Sequence, residues 1–290
     1  MRLTNGERTF GYFNTVLMLG LCAVTLYPFL YVLFASFSNS TELLQHLGPL
    51  YRPAGFDLSA YKAVFSNPMI VEGYKNTLLY VLLGTTINLI MTSIGAYVLS
   101  RPNLYFKNVM MFFIVVTMVF HGGLIPSFLL VNNLGMMNTM WALLIPGAIN
   151  TFNMIIMRTS FQGIPVSLEE SARMDGAGDW TILFRIMIPL SLPVMAVMVL
   201  WYAVGHWNSY FSALLYLRNR EAYPLQLILR ELLIQNSTDA YSAGSSDDKY
   251  AIGETIKYAA IIVSTLPILC LYPFLQKYFV HGVLVGAIKE

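Results

Sequence analysis

The sequence predicts an all-α membrane protein with six transmembrane helices. Composition is the first reason: of 290 residues, 57% are hydrophobic and 11% charged, against roughly 25% charged residues in ordinary soluble domains. Segmentation is the second, because no Asp, Glu, Lys or Arg occurs within 9–41, 76–100, 108–157, 186–217 or 258–276, and about 20 apolar residues cross a bilayer core as a helix. The third is that nothing shows the ten-residue alternation of a membrane barrel. Backbone groups in lipid must pair within their own segment, so helices are the expected form.

Span 1 is placed at 11–37. Its apolar run exceeds a cleavable signal core, and Tyr27-Pro28-Phe29 lies where small residues would be wanted, so it is expected to stay as a span. Loop 38–75 separates it from span 2 at 76–99. The stretch from 108 to 157 is too long for one crossing and carries a turn-like Asn132-Asn133-Leu134-Gly135 near its middle. It therefore divides into spans 3 and 4, at 109–130 and 139–159. Loop 160–185 leads to span 5 at 186–209, loop 210–256 follows, and span 6 lies at 257–279. Loop 210–256 contains a helix-like apolar run, Leu225 to Leu233, and ends in the Ser242-Ala243-Gly244-Ser245-Ser246-Asp247-Asp248 patch. That loop is expected to be an external element rather than an idle linker.

Six spans put both termini on one side. Raw basic counts barely separate the two orientations, with nine Lys and Arg on the terminal side and eight opposite. Short loops orient a protein best, and the short 100–108 loop holds Arg101 and Lys107 while the 131–138 loop holds none. The termini, and with them loop 160–185, are expected in the cytoplasm. Loops 38–75 and 210–256 are then external. Cys22 and Cys270 fall inside predicted spans, without metal-ligand spacing, and read as small apolar residues.

Loop 160–185 is a charged island between apolar segments. Ser167 followed by Glu170 has capping-box spacing, which predicts a short helix starting there. Gly176 and Gly178 then end it, and Asp179 caps a second short helix toward Phe184 and Ile188. The hairpin would present Leu168, Ala172 and Met174 among charges. One reading is a solvated loop whose charges anchor two spans. The other is a docking knob, with Ala172 permitting close approach and Glu170 or Arg173 fixing register through charge-assisted hydrogen bonds.

The whole pattern is more specific than its charges. Glu170-Ser171-Ala172, three residues, Gly176, then Ile186, Ile188, Pro189 and Pro193 resembles the "EAA" loop of bacterial ABC-importer permeases. The chain is similar over almost its whole length to carbohydrate-importer permeases of the maltose type, the six-span member of the permease pair. The likeness also rests on Tyr27-Pro28, on Arg52-Pro53 through Tyr61-Lys62-Ala63-Val64-Phe65, on Asn76-Thr77-Leu78 and on Gly95-Ala96-Tyr97-Val98-Leu99-Ser100-Arg101. Gly122-Gly123-Leu124-Ile125-Pro126 and Asn150-Thr151-Phe152-Asn153 resemble a branch associated with alginate- or pectin-derived oligosaccharides. Ser171 stands where the motif has its first Ala, and remains small.

The resemblance implies the type I ABC-importer permease fold, with cytoplasmic coupling helices between spans 4 and 5. It assigns ATPase coupling to Glu169, Glu170, Ser171, Ala172, Arg173, Asp175 and Gly176. The implied partners are a homologous second permease, two ATPase subunits and an extracytoplasmic solute-binding protein, in a bacterial cytoplasmic (inner) membrane. Membrane lipid and an oligosaccharide complete the set, and nucleic acid is not expected. The sequence has no phosphate loop, His-Glu-x-x-His pair or Gly-x-Ser-x-Gly elbow. ATP and Mg would therefore be bound by the partner ATPase, with no catalysis and no cofactor or metal in this chain.

Polar residues within spans are costly in lipid and normally face protein or an aqueous path. Asn88, Asn150, Asn153, Trp201, His206, Trp207, Asn208 and Tyr210 are the candidates for a sugar path, since amides and aromatic faces are what sugars need. Interhelical hydrogen bonds and an interfacial aromatic belt explain the same residues without substrate. The alternative function is an ion-coupled secondary transporter, against which stands the absence of Asp or Glu within the spans. His121 is read as a helix–helix contact, and Pro126, Pro146 and Pro189 as kinks tolerated by packing.

Overall fold

The computed structural model describes residues 5–242, 253, 255–270 and 273. Among them regular structure is helical, apart from an isolated antiparallel bridge between Ser38 and Phe56. Two compact units are present. One is drawn from Met1–Ile70 and Leu229–Leu266, the other from Val71–Ile228 and the chain from Pro267.

In the first unit, α1 (Asn5–Ser36) is a single apolar helix whose side chains from Gly6 to Leu26 are all exposed. A long apolar helix with so little protein around it is suited to lipid. Its last turn builds a small core in which Ala35 packs with Leu43 and Leu50, bordered by Tyr31, Phe34, Ala54 and Tyr258. The Tyr27 hydroxyl accepts from the Leu50 N–H at 3.0 Å. Helix α2 (Ser40–Gln45) is capped by Asn39, which accepts from the Thr41 N–H at 3.1 Å. Helix α3 (Ser59–Ser66) follows Asp57, whose carboxylate takes both the N–H and the hydroxyl of Ser59.

Helix α4 (Pro68–Ser100) supplies the spine of the second unit. Gly73, Thr77, Gly84, Asn88, Thr92 and Gly95 recur at helical spacing and form one small or polar stripe. Gly73 lies against Leu225 and Ile228, Gly84 against the His206 ring and Gly95 against the Met154 sulfur. Thr77 Oγ1 accepts from the Leu225 N–H at 2.8 Å, and the hydroxyls of Thr92 and Tyr202 meet at 2.7 Å. Small residues that let backbones approach, with polar side chains bonding across, are how helices associate where water supplies no driving force.

Three of the expected spans are not continuous helices. The 109–130 stretch is α5 (Lys107–Val119) and α6 (Leu124–Asn133), bent by 111°. Gly123 at φ 85° makes the break, and Pro126 falls in the first turn of α6, where its missing N–H costs nothing. His121 is exposed in this break rather than seated between helices. In 139–159, Pro146 and Gly147 separate a short α7 (Trp141–Leu144) from α8 (Thr151–Gln162). The 186–209 stretch is bent by 88° between α10 (Asp179–Leu190), which is preceded within the charged loop by α9 (Val166–Met174), and α11 (Leu192–Trp207). Ser191 at that bend is flanked by Pro189 and Pro193, which cannot donate to a continuing helix, and a π turn at Leu183–Met187 comes just before.

The turn expected at 132–135 is present, with Gly135 at φ 68° and the Met136 N–H closing on the Val131 carbonyl at 3.2 Å. Asn138, also left-handed at φ 59°, accepts from the N–H groups of Arg218 and Asn219, each at 2.9 Å. It thereby fixes the segment after α12 (Phe211–Tyr216). The helix-like run at 225–233 lies in α13 (Leu225–Ser242). Helix α14 (Thr255–Cys270) covers the first part of the expected sixth span. Most of that span past Cys270, and the Ser/Gly/Asp patch from 243, lie outside the described residues.

Gly84 gives a direct test of the α4 stripe, because an added Cβ would lie 2.4 Å from His206 Nε2. Replacing Gly84 with Leu is expected to cost about 1–3 kcal/mol of stability through overpacking. Gly205, with open space around its Cβ position, should accept Ala at no cost or with a gain of up to about 1 kcal/mol. Thermal unfolding of the detergent-solubilised protein distinguishes them; equal melting temperatures would remove the close-packing argument.

Candidate functional site: the charged hairpin and the polar cluster

The hairpin begins where α8 ends. Pro165, with φ −57° and extended ψ 131°, precedes α9 directly, and a proline at that point has its φ already set for helix entry. The helix therefore starts at Val166. Ser167 falls inside the first turn and makes no cap, so the expected capping box with Glu170 is absent. At the other end Gly176 takes φ 83°, its N–H bonds the Arg173 carbonyl at 3.0 Å and the Ala177 N–H bonds the Ala172 carbonyl at 2.9 Å. This left-handed glycine stop is the one expected.

Asp179 opens α10 but does not cap it; Gly178 occupies the cap position. Its carboxylate is taken instead by the guanidinium of Arg173, at 2.5 Å, and by the Tyr97 hydroxyl, at 3.1 Å. The two sides of α9 differ in kind. Glu170, Ser171 and Met174 are exposed, as are Ser167, Leu168 and Asp175. Ala172, expected on the presented surface, is instead half-buried against the core formed by Tyr97, Met157, Phe161, Ile182 and Met187.

Glu169 is buried and lies between two guanidiniums. Arg101 reaches it from the end of α4, and Arg173 reaches Oε1 from one turn along α9 at 3.0 Å. The Arg101 guanidinium also sits 4.6 Å from the centre of the Tyr97 ring, a cation–π distance. Burial pulls Arg101 below its ordinary pKa, and the Arg173 charge acts in the same direction; a guanidinium nevertheless stays charged in proteins. The nearby carbonyls at the end of α4 are occupied by cations as well. Arg158 donates to Leu99 O and Lys107 to Arg101 O, both at 2.9 Å, where the helix dipole favours positive charge.

Two clefts flank this pair. One of about 410 Å³ is lined by Arg101, Asn103, Glu169, Glu170, Arg173 and Asp179 among others. Another of about 200 Å³ includes Lys107, Gln162, Arg101 and Glu169. Among the described residues there is no His, Cys, Asp and Glu grouping able to hold a metal ion.

The candidates in the apolar segments separate into two sets. Asn88, buried, donates to the carbonyls of Gly147 and Ala148 at 2.6 and 3.0 Å, and its Oδ1 lies 2.6 Å from His206 Nε2. Asn150 caps α8 through the Asn153 N–H at 3.1 Å, and its own N–H donates to the Tyr202 hydroxyl at 3.3 Å. Asn88, Asn150, Asn153 and His206 thus belong to one polar cluster around the break between α7 and α8. The others lie elsewhere: Trp201 is exposed beside Phe152, Trp207 is buried edge-on to Tyr74, Asn208 ends α11, and Tyr210 is exposed beside Phe211. Thr92, whose hydroxyl meets that of Tyr202, was not singled out from sequence. An apolar span gives no sign of which hydroxyls will meet, and only the α4 register does.

Comparison with known proteins agrees with this architecture. The chain is 39% identical to Protein LplC of Bacillus subtilis strain 168, covering 100% of this chain and 98% of the relative. It is 41% identical to the polygalacturonan/rhamnogalacturonan transport system permease protein YtcP of the same organism, covering 96% of each. A chain from the crystal structure of a bacterial ABC transporter involved in importing the acidic polysaccharide alginate superposes with a TM-score of 0.85. It is 35% identical, over 96% of this chain and 99% of that one. Residues 88–285 match the family model for binding-protein-dependent transport system inner membrane components. The charged hairpin between helical breaks, the all-helical fold and these full-length likenesses identify the chain as a member of that family, the permease subunits of ABC transporters.

Proposed function

We propose that this chain is the membrane-spanning subunit of an ATP-driven importer of oligosaccharides, with acidic fragments of the alginate or pectin kind as the favoured class. The observation that carries the coupling role is the exposed face of α9, where Glu170, Ser171 and Met174 stand clear of the chain's own core. A short helix offering a small residue, a carboxylate and a flexible thioether suits a groove on a partner. That partner is a separate ATPase, which binds ATP and Mg. A second, homologous permease forms the other half of the path, and an extracytoplasmic binding protein delivers the sugar.

Support for the substrate class comes from the relatives, one named for polygalacturonan and rhamnogalacturonan transport and one for alginate import. A more distant structure, 17% identical with a TM-score of 0.56, has the same fold and comes from an alginate transporter in complex with a pentasaccharide-bound periplasmic protein. Residues 109–130, 139–157 and 186–209 hold no Lys or Arg, so acidic sugars would meet amides, hydroxyls and aromatic faces there. Charge selection then falls to the binding protein. The termini and the hairpin face the cytoplasm, and loops 38–75 and 210–256 face outward. ATP-driven closure of the ATPases shifts a pre-existing equilibrium between inward- and outward-facing states by binding one better than the other.

Coupling is tested on two residues with different physics. Glu170→Lys reverses an exposed charge, while Gly176→Val meets no atom within 4 Å but must hold φ 83°, a strain of about 1–2 kcal/mol. Both are expected to reach the membrane at normal levels and to lose ATPase co-purification or sugar uptake. Normal uptake by both would sink the docking role.

Orientation is tested by single cysteines in a background lacking Cys22 and Cys270. Cysteines replacing Asp179 and Asn103 should react only with a cytoplasmic reagent, and one replacing Ser245 only with an external reagent. External labelling of the Asp179 site would overturn both the topology and the docking role.

A further inference from the structure

The exposed face of α9 explains Glu170 and Met174 but leaves Glu169 unexplained. A carboxylate on a nine-residue helix could have faced water without cost, yet this one is buried. Around it the contacts close into a ring. Tyr97 on α4 donates to Asp179 at the start of α10, Asp179 accepts from Arg173 on α9, Arg173 donates to Glu169, and Glu169 pairs with Arg101 beyond α4. Arg101 then returns over the Tyr97 ring. Besides this ring the hairpin meets the rest of the unit through its two chain connections and the apolar packing of Ile164, Ala172, Ala177, Ile182 and Leu183.

We infer that Arg101 is a positioning residue for energy coupling: it clamps α9 to the end of α4, so that hairpin displacement is delivered into α4. This rests on the proposed docking of α9 to an ATPase. Displacement could otherwise travel mainly along the peptide into α10, whose path is bent by 88° at Ser191. Helix α4 is the stiffer lever. It is one unbroken helix of 33 residues, on the order of 50 Å at 1.5 Å per residue. Its Thr92 and Asn88 bond directly to Tyr202, to His206 and to the carbonyls of the α7–α8 break. A push at Glu169 therefore reaches the broken 139–159 and 186–209 segments through one body.

The ionic character of the clamp matters as much as its position. A buried carboxylate between two guanidiniums is satisfied only while both stay in place, so the pair resists sliding in a way that an apolar contact does not. Arg173 alone cannot replace Arg101, because it belongs to the same helix as Glu169 and moves with it.

The test uses the assembled importer in proteoliposomes, with labelled alginate or pectin oligosaccharide and the binding protein. The readout is sugar imported per ATP hydrolysed. Arg101→Gln is expected to assemble with the ATPase, to hydrolyse ATP and to import about tenfold less sugar per ATP, within the usual span of a coupling free energy. The charge exchange Arg101→Glu with Glu169→Arg should recover most of that loss. A third protein separates clamping from folding: Arg101→Cys with Glu169→Cys, lacking Cys22 and Cys270, joined by a short reducible bis-methanethiosulfonate linker. Linked, it should couple; after reduction, the same folded molecules should not.

Wild-type stoichiometry in Arg101→Gln would overturn the inference. So would identical coupling in the linked and reduced protein, or loss of ATPase assembly in Arg101→Gln together with no recovery on charge exchange, which is the signature of a merely structural residue. If the unmodified chain itself recruits no ATPase and imports no sugar, the functional reading falls, and the clamp falls with it.

Discussion

The demand that every backbone polar group find a partner away from water shapes the second unit. Breaks at 120–123, 145–150 and Ser191 free N–H and C=O groups that an unbroken helix would have satisfied. At 145–150 the Asn88 amide takes the carbonyls of Gly147 and Ala148. At Ser191 the N–H keeps its bonds to the Met187 and Ile188 carbonyls, both at 3.1 Å. Removing the Asn88 amide would strand two carbonyls and the His206 ring nitrogen together, and each such group costs on the order of 1–3 kcal/mol when left unpaired. The stripe on α4 is thus less a packing surface than a bonding template, and the broken helices are possible because α4 is whole.

The same helix organises the charged end of the molecule by a different force. At the end of α4 the carbonyls of Leu99, Ser100 and Arg101 face Arg158 and Lys107, and the surplus positive charge around them is answered by Glu169 and Asp179. Tyr97 joins the two regimes, its ring beneath Arg101 and its hydroxyl on Asp179. Helix α9 in consequence has one face committed to its own chain and one left open. A docking element needs this division: the anchored face sets position, and the open face meets the partner without first breaking internal bonds.

The polar cluster around Asn88 reads differently from a ready-made sugar site. Its amide and hydroxyl groups are bonded to one another and to backbone, and Trp201 and Tyr210 lie outside it on exposed positions. Buried networks satisfied in this way specify packing.

Much of this chain was determined locally. Segregation of charge marked the apolar segments, Gly135 and Gly176 marked their turns through the left-handed φ that glycine tolerates, and the spacing from Glu170 to Pro193 marked the hairpin. Those features depend on residues near one another, so sequence alone settles them. What it could not settle was continuity and facing. Pro126, Pro146, Pro189 and Pro193 are equally compatible with a kinked helix or a break, and the choice depends on whether a distant amide such as Asn88 is placed to donate to the freed carbonyls. Ser167 and Asp179 have the chemistry of caps, yet Pro165 starts the helix earlier and Arg173 claims the aspartate. Whether Glu169 or Glu170 is buried turns on the register of α9 against an arginine 68 positions earlier in the chain. Only the tertiary structure brings that charge to its partner, because the free energy that decides it comes from desolvation and pairing across the fold rather than from any local preference.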